Sequence, residues 1–333
     1  MKYSIIVAVF NRPDEMRELL QSLTRQTYRD FEVIVVEDGS TLSSKAECDH
    51  VAGELQLAYY AKANSGPGPS RNYGCRRAAG DYFIFLDSDC MVPPHYLAVI
   101  DEAVSSNALD AFGGPDRDHE SFTPIQRAIS HSMTSFLTTG GIRGKALRVG
   151  GAFHPRSFNM GISRDVFNAT EGFSSMRFGE DVDLSLRIIA GGFRTGLIPE
   201  AWVYHKRRST LTSFFKQVHQ SGRARIDLTL RHAGSLKLTH FFPAAFTSYL
   251  LFSLVTSFTH PVGYTTLLPL VAYLLLVGLE GALRTQSARC GALSVITTIV
   301  QHVAYGAGFA RGIVERIILG RPEVRRASET FYS

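Results

Sequence analysis

The stretch Tyr82-Phe83-Ile84-Phe85-Leu86-Asp87-Ser88-Asp89 joins an apolar run directly to two carboxylates. Side chains of a strand alternate between its two faces, so residues i and i+2 point the same way. If a strand ends after Leu86, Asp87 and Asp89 can project together from its carboxyl end, where open parallel sheets bind ligands. Two oxygen ligands there suit Mg²⁺ or Mn²⁺ carrying a diphosphate. An isolated Asp-Ser-Asp is more often a turn, so the neighbouring segments decide between the two interpretations.

The segments on both sides predict an α/β fold. The apolar run at residues 4–10 is typical of a strand buried on both faces, and residues 31–36, 55–60 and 81–86 predict further strands. Stretches with apolar residues at helical spacing separate them, and this order predicts a doubly wound, mostly parallel, Rossmann-like sheet. Residues 113–150 are polar and contain Gly140-Gly141, and we expect an irregular insertion that contacts substrate.

The length of 333 residues allows two domains. We expect a catalytic domain over residues 1–235, a membrane-associated helical region over 236–320 and a basic tail over 321–333. The helical region contains apolar stretches at 241–258, 261–279 and 290–310. Each is near the roughly 20 residues that cross a bilayer. Buried core helices are the alternative, but three successive stretches with little charge favour a membrane.

The distribution of charge indicates which partners the chain binds. The net charge is +5, and His205 to His240 alone hold eight Lys or Arg residues against one acid, Asp227. A basic segment before apolar helices predicts contact with anionic membrane lipids on the cytoplasmic side, or with substrate phosphates. We expect no nucleic acid partner, because the chain has no interleaved aromatic platform or reader motif. Four scattered cysteines argue against a disulfide framework and fit a reducing compartment.

The preference of basic residues for the cytoplasmic side also bears on the membrane topology. If the first two apolar stretches form a hairpin, Arg284 and Arg289 return to the cytoplasmic side, which basic residues prefer. Three full crossings would place the basic tail on the opposite side. The third stretch contains Gln301 and His302, so we expect it to be re-entrant or interfacial.

Five segments in this order resemble one known enzyme family. They are SIIVAVFNRP (residues 4–13), VVEDGS (35–40), GPGPSRN (66–72), FLDSD (85–89) and GEDVDL (179–184). Over residues 1 to about 230 the chain is similar to inverting family 2 glycosyltransferases, which have the A-type nucleotide-diphospho-sugar transferase fold. The resemblance implies a nucleotide-diphospho-sugar donor, with UDP expected, and a divalent metal, Mn²⁺ or Mg²⁺.

The resemblance also implies a set of site residues. Donor-binding residues would be Phe10, Asn11, Arg12, Glu37, Asp38, Arg71, Asn72, Asp87 and Ser88. Glu37 or Asp38 would accept a hydrogen bond from the base, although most relatives have Asp-Asp here. Asp89 would hold the metal, with Asp87 and His205 as further candidate ligands.

For catalysis, the resemblance implies that Asp181 is the general base and that Glu180 orients it or binds the acceptor. The alternative is an acidic pair that merely stabilises a helix N-terminus. Processive relatives carry a Q-x-x-R-W element that Gln217 to Arg223 do not reproduce, which favours the addition of a single sugar.

Together these features predict an inverting, metal-dependent glycosyltransferase. We expect it to act on a lipid-linked or envelope-polysaccharide acceptor at the cytoplasmic membrane, with its catalytic domain facing the cytoplasm. A sugar nucleotidyltransferase would need a Gly-rich basic loop that Phe10 to Pro13 do not provide. A non-catalytic membrane scaffold is the other alternative, and the intact Asp89 and Asp181 argue against it.

Overall fold

Ten strands lie in the parts of the chain that a computed structural model describes, residues 2–140, 153–260 and 263–323. They are β1 (Tyr3–Val9), β2 (Phe31–Asp38), β3 (Leu57–Lys62), β4 (Tyr82–Asp87), β5 (Cys90–Met91), β6 (Ala111–Gly113), β7 (Asp116–Arg117), β8 (Asn159–Ser163), β9 (Thr195–Leu197) and β10 (Val203–His205). The main sheet has the order β3-β2-β1-β4-β8-β6-β9, and β5, β10 and β7 form a small second sheet. Strands β1 to β4 pair in parallel, whereas β8 is antiparallel to both of its neighbours.

The helices of the same described residues fall between and after these strands. They are α1 (Pro13–Thr24), α2 (Lys45–Val51), α3 (Pro67–Cys75), α4 (Tyr96–Asn107), α5 (Pro124–Thr134), α6 (Phe136–Thr139), α7 (Arg164–Thr170), α8 (Glu180–Ala190), α9 (Leu211–Arg231), α10 (Phe242–Thr259), α11 (Gly263–Thr285) and α12 (Ala288–Ile313). A 3₁₀ turn at Leu238–Phe241 precedes α10, and a π turn at Val314–Ile318 follows α12.

The chain divides into two compact units. Among the described residues, the sheet unit comprises residues 2–117 and 153–205, and the helical unit comprises residues 118–140, 206–260 and 263–323. The predicted functional division at residues 235 and 320 stays a prediction. Most of the tail, residues 324–333, lies outside the described residues.

Both faces of the main sheet are covered, which confirms the predicted doubly wound α/β fold. Alternate residues of β1 show this, because Ile5 and Val7 pack with Leu20 of α1 on one side. Ile6 packs with Leu184 of α8 on the other. Burial on both sides explains why these strands are continuous apolar runs in the sequence.

The expectation of an irregular insertion is wrong for its first part. Residues 124–134 form α5, whose start is fixed by a capping box between Thr123 and Gln126 and by Pro124 in the first turn. Ile129 and Met133 lie one helical turn apart on its buried face, among many polar residues that obscure the pattern. Residues 141–150 lie outside the described part of the chain.

The helical unit confirms the three predicted apolar helices. Leu238–Thr259, Gly263–Thr285 and Ala288–Ile318 are each long and apolar enough to cross a membrane, and this indicates membrane association. Within the unit, Ile129 and Met133 of α5, Phe214 and Val218 of α9 and Ala304 of α12 form one apolar cluster.

Candidate active site

The candidate residues collect at the carboxyl ends of β1, β2 and β4. The three strands are neighbours, and their register pairs Val9 with Glu37 and Ala8 with Asp87. The segments that follow the strands therefore lie side by side, as the parallel topology predicts.

Asn11 connects the loop after β1 to the loop after β2 through hydrogen bonds. Its side-chain oxygen accepts hydrogen bonds from the amides of Thr41 (2.8 Å) and Leu42 (2.9 Å), and its own amide donates to the Ser40 hydroxyl (2.8 Å). Its φ of 53° lies in the left-handed region, which Asn tolerates better than most residues. Phe10 precedes it and directly follows the last residue of β1.

Glu37 and Asp38 are almost fully buried and hold the surrounding loops. Glu37 accepts hydrogen bonds from the Ser44 amide (2.7 Å), the Tyr59 hydroxyl (3.2 Å) and the Ser40 hydroxyl. Asp38 accepts from the Lys62 ammonium at 2.6 Å and from the amides of residues 65 and 66, both at 2.6 Å. Their expected contact with a nucleotide base stays a prediction.

Arg71 is a buried cation between two predicted site carboxylates. Its guanidinium donates to Asp87 at 2.6 Å and to Glu180 at 3.3 Å, and it lies 5.2 Å from the centre of the Phe173 ring. The side chain of Asn72 exchanges two hydrogen bonds with the backbone of Phe173 (2.7 and 2.8 Å) and so holds the segment between α7 and α8. Arg71 thus joins the end of β4 to the start of α8.

The acidic pair begins α8. Gly179 precedes the helix with a φ of 83°. Glycine has no side chain and adopts this conformation at little energetic cost. The helix N-terminus stabilises the negative charge of Asp181, which also accepts a hydrogen bond from the Val182 amide (2.8 Å) and lies 3.4 Å from Arg156. Burial, and next the nearby charge of Asp181, raise the pKa of Glu180 to about 7.

Asp89 is turned toward a different set of partners from Asp87. One of its oxygens accepts from Arg12 at 2.8 Å, and the other lies 3.2 Å from His205 Nε2. Asp89 lies close to His205 because β5 pairs with β10, and this pairing places Cys90 opposite His205. The His205 ring also stacks on Phe158, with 4.9 Å between the ring centres.

The donor atoms of this cluster are compatible with a divalent metal. Ligand atoms of Asp89, Cys90 and His205 lie within 4.8 Å of one another. Burial raises the pKa of the Cys90 thiol well above its ordinary value, and the thiol donates to the Phe158 carbonyl (3.6 Å). Asp89 and His205 supply a carboxylate and an imidazole, which can hold a metal such as Mn²⁺.

The structure brings the predicted residues into three groups. Arg71 joins Asp87 to the acidic pair of α8, Asp89 joins Arg12 to His205, and Glu37 and Asp38 are held within their own loops. Ser88 is buried in the turn between β4 and β5.

Two residues that contact the site carboxylates were not predicted from the sequence, Lys62 and Arg156. Strand register would have found Lys62, which pairs with Asp38 across β2 and β3. Arg156 lies in a segment without a recognisable pattern.

Comparisons with known proteins identify one enzyme family. The sequence profile of the family described as Glycosyl transferase family 2 matches residues 4–170. An uncharacterised glycosyltransferase of Haemophilus influenzae is 29% identical over 227 residues, 63% of this chain and 71% of the relative. An uncharacterised glycosyltransferase of Rickettsia bellii is 38% identical over 88 residues, 26% of this chain. The chain spans only 13% of the length of that relative.

Two solved structures share the fold. One is the mannosyltransferase PcManGT from Pyrobaculum calidifontis in complex with GDP-Man and Mn²⁺ (18% identity, TM-score 0.56, 91% of this chain and 87% of the other). The other is S. aureus TarS 1–349 in complex with UDP-GlcNAc (18% identity, TM-score 0.50, 96% and 93%).

Proposed function

Because this chain belongs to glycosyl transferase family 2, we propose that it is an inverting, metal-dependent glycosyltransferase that uses a nucleotide-diphospho-sugar, with UDP as the expected nucleotide. The acceptor is a hydroxyl of a lipid-linked or envelope-polysaccharide glycan at the cytoplasmic face of the membrane. The observation that carries the proposal is the bridge of Arg71 between Asp87 and Glu180, which sets the acidic pair of α8 beside the end of β4.

Asp181 is the proposed general base. Its carboxylate is partly exposed, and Arg156 and the start of α8 favour its ionised form. It takes the proton of the acceptor hydroxyl while that oxygen attacks the anomeric carbon from the side opposite the diphosphate. The bond to the diphosphate breaks as the new bond forms, and the anomeric centre is inverted through an oxocarbenium-like state.

Asp89, Arg12 and His205 form the proposed site of the leaving diphosphate. Arg12 can turn its guanidinium from Asp89 to phosphate oxygens, a pairing that a planar cation makes well. Asp89 and His205 would hold a divalent metal, which when bound offsets the charge that builds on the diphosphate. Asp87, fixed by Arg71, would meet the sugar or ribose.

The solved relatives and the helical unit support the choice of substrates. One solved relative is a complex with GDP-Man and Mn²⁺ and the other is a complex with UDP-GlcNAc, so both proteins bind nucleotide-sugars. The three apolar helices favour an acceptor that is itself held at a membrane.

A nucleotide-release assay tests the proposal. Membranes that contain the protein are given a panel of nucleotide-sugars, Mn²⁺ or Mg²⁺ and a lipid extract. We expect metal-dependent release from one donor, and a loss of roughly 10²–10⁴-fold in Asp181→Asn with donor binding retained. Asp49→Asn is the matched control, because Asp49 is an exposed aspartate that pairs with Lys45 in α2.

Each other outcome has a defined meaning. Release that Asp181→Asn leaves unchanged would move the base elsewhere. Donor binding without release from any acceptor fraction would favour the non-catalytic scaffold instead.

A further inference from the structure

Helices α10 and α11 form an apolar hairpin. Tyr249 and Ser253 of α10 donate hydrogen bonds to the carbonyl of Thr266 in α11 (2.7 and 3.2 Å). Residues 241–279 contain no Asp, Glu, Lys or Arg. With the 3₁₀ turn that precedes it, α10 forms a continuous apolar segment of 22 residues, Leu238–Thr259, and α11 has 23 residues. At about 1.5 Å per residue, each can cross the roughly 30 Å hydrocarbon layer. Large apolar side chains such as Phe258 and Leu268 point outward, as lipid contact requires.

Helix α12 lies across the base of this hairpin. Its first half meets the end of α11, where Gly281 packs against Ser294. Near the middle of α12, His302 Nε2 lies 3.1 Å from the hydroxyl of Tyr273, in the middle of α11. Its second half meets the start of α10, where Phe309 contacts Phe241 with 5.3 Å between ring centres. Glu280 and Arg284 of α11 and Lys237 before α10 mark the same charged end of the hairpin.

The charged helix α9 runs along the second half of α12. A Cβ on Gly222 would collide with the Tyr305 backbone, and one on Gly308 would collide with the His219 backbone, so the two helices are in close contact. Two ion pairs continue the interface, Arg223 with Glu315 at 2.7 Å and Arg316 with Asp227 at 2.5 Å. Helix α9 also carries Lys216, Arg225 and Arg231. A helix with these charges stays outside the hydrocarbon layer of the membrane. Because α12 is packed against α9, it stays outside this layer as well.

The first half of α12 is tied to α5 in a similar way. The Thr297 hydroxyl lies 3.1 Å from the Ala128 carbonyl, and Arg127 donates to the carbonyl of Thr285, just before α12 (2.9 Å). The buried side chains of α12 include the polar residues Ser294, Thr297, Thr298, Gln301 and His302. These groups face protein rather than lipid.

We propose that only α10 and α11 cross the bilayer and that α12 lies at its surface, against α5 and α9. Both ends of α12 are then on the side from which α10 enters. Arg284, Arg289, Arg311, Arg316 and Arg321 all lie on that side, as the distribution of basic residues in membrane proteins favours. This topology does not depend on the proposed activity.

Single cysteines test the topology with a membrane-impermeant maleimide on vesicles of both orientations. Cys48, Cys75, Cys90 and Cys290 are all buried, so the parent chain is the low-background control. The variants are Glu54→Cys in the sheet unit, Thr259→Cys at the tip of the hairpin and Pro322→Cys beyond α12, all exposed positions.

We expect Glu54→Cys and Pro322→Cys to react in one orientation and Thr259→Cys only in the other. Reaction of Pro322→Cys together with Thr259→Cys would show that α12 crosses, and would overturn the proposal. Reaction of all three from one side would show that the hairpin does not cross, which would also overturn it.

Discussion

Glu180 is expected to destabilise the protein at neutral pH. Burial and the nearby Asp181 raise its pKa to about 7 from the ordinary 4.5, despite the opposing charge of Arg71. A carboxyl that binds its proton more tightly in the folded chain loses stability as the pH rises from 4.5 to 7. Above that range the ionised side chain costs at most about 3 kcal/mol of the free energy of unfolding.

Glutamine imitates the protonated carboxyl, so Glu180→Gln should relieve this cost. We expect the variant to be more stable than the parent at pH 8, by up to about 3 kcal/mol, and equally stable near pH 4.5. Thermal unfolding of the purified proteins in detergent between pH 4.5 and pH 8 measures the difference, which should reach a few degrees in Tm at the upper end. Sugar transfer should fall in the same variant, because Glu180 lies beside the proposed base.

Glu47→Gln is the matched control with the opposite sign. Hydrogen bonds from Arg17 lower the pKa of Glu47, so its charge adds a little stability above its ordinary pKa. A Glu180→Gln variant that is less stable than the parent at pH 8 would show that the ionised Glu180 side chain does not destabilise the fold. A difference in stability that is the same at both ends of the pH range would show that it does not come from the titration of Glu180.

Three further substitutions probe the contacts of the site. Arg156→Ala removes the cation 3.4 Å from Asp181, so the acid limb of the pH–rate profile should move to higher pH. An unchanged acid limb would show that Arg156 does not stabilise the ionised form of Asp181. Arg71→Met leaves two carboxylates without their shared cation, and chemical unfolding should show a loss of roughly 3 kcal/mol; a stability equal to that of the parent would mean that the ion pairs contribute nothing. Phe158→Ala frees the ring of His205, so the Mn²⁺ concentration for half-maximal activity should rise about 10- to 100-fold, as in His205→Ala. A rise in His205→Ala alone would show that the stacking does not position the ring.

The sheet and one edge of the site could be predicted from the sequence because both follow from local pattern. Continuous apolar runs such as Tyr82 to Leu86 indicate strands buried on both faces, and the order of strands and helices indicates a parallel sheet. The carboxyl ends of such strands meet at one edge, which places Asp87 near Glu37 without any knowledge of side-chain contacts.

The rest depends on pairings between distant residues. His205 meets Asp89 because two very short strands, β5 and β10, pair across more than 100 positions, and no local pattern in either strand predicts this. Arg71 is identifiable as a candidate, but its two partners come from β4 and α8. The start of α5 has a clear cap at Thr123, yet its apolar face is short and interrupted by polar residues, so that its partner helix decides its fold.

The separation of α5 from its partner also matters while the chain is being made. Ala128 leaves the ribosome 169 residues before Thr297, to which it is hydrogen-bonded in the finished protein. At roughly 5–20 residues per second, the delay is on the order of ten to thirty seconds. During that interval the apolar side chains of Ile129 and Met133 have no α12 to cover them. Nascent chains of this length are therefore candidates for chaperone capture, and ribosome-bound chains with α12 still inside the ribosome should be captured more than chains from which α12 has emerged.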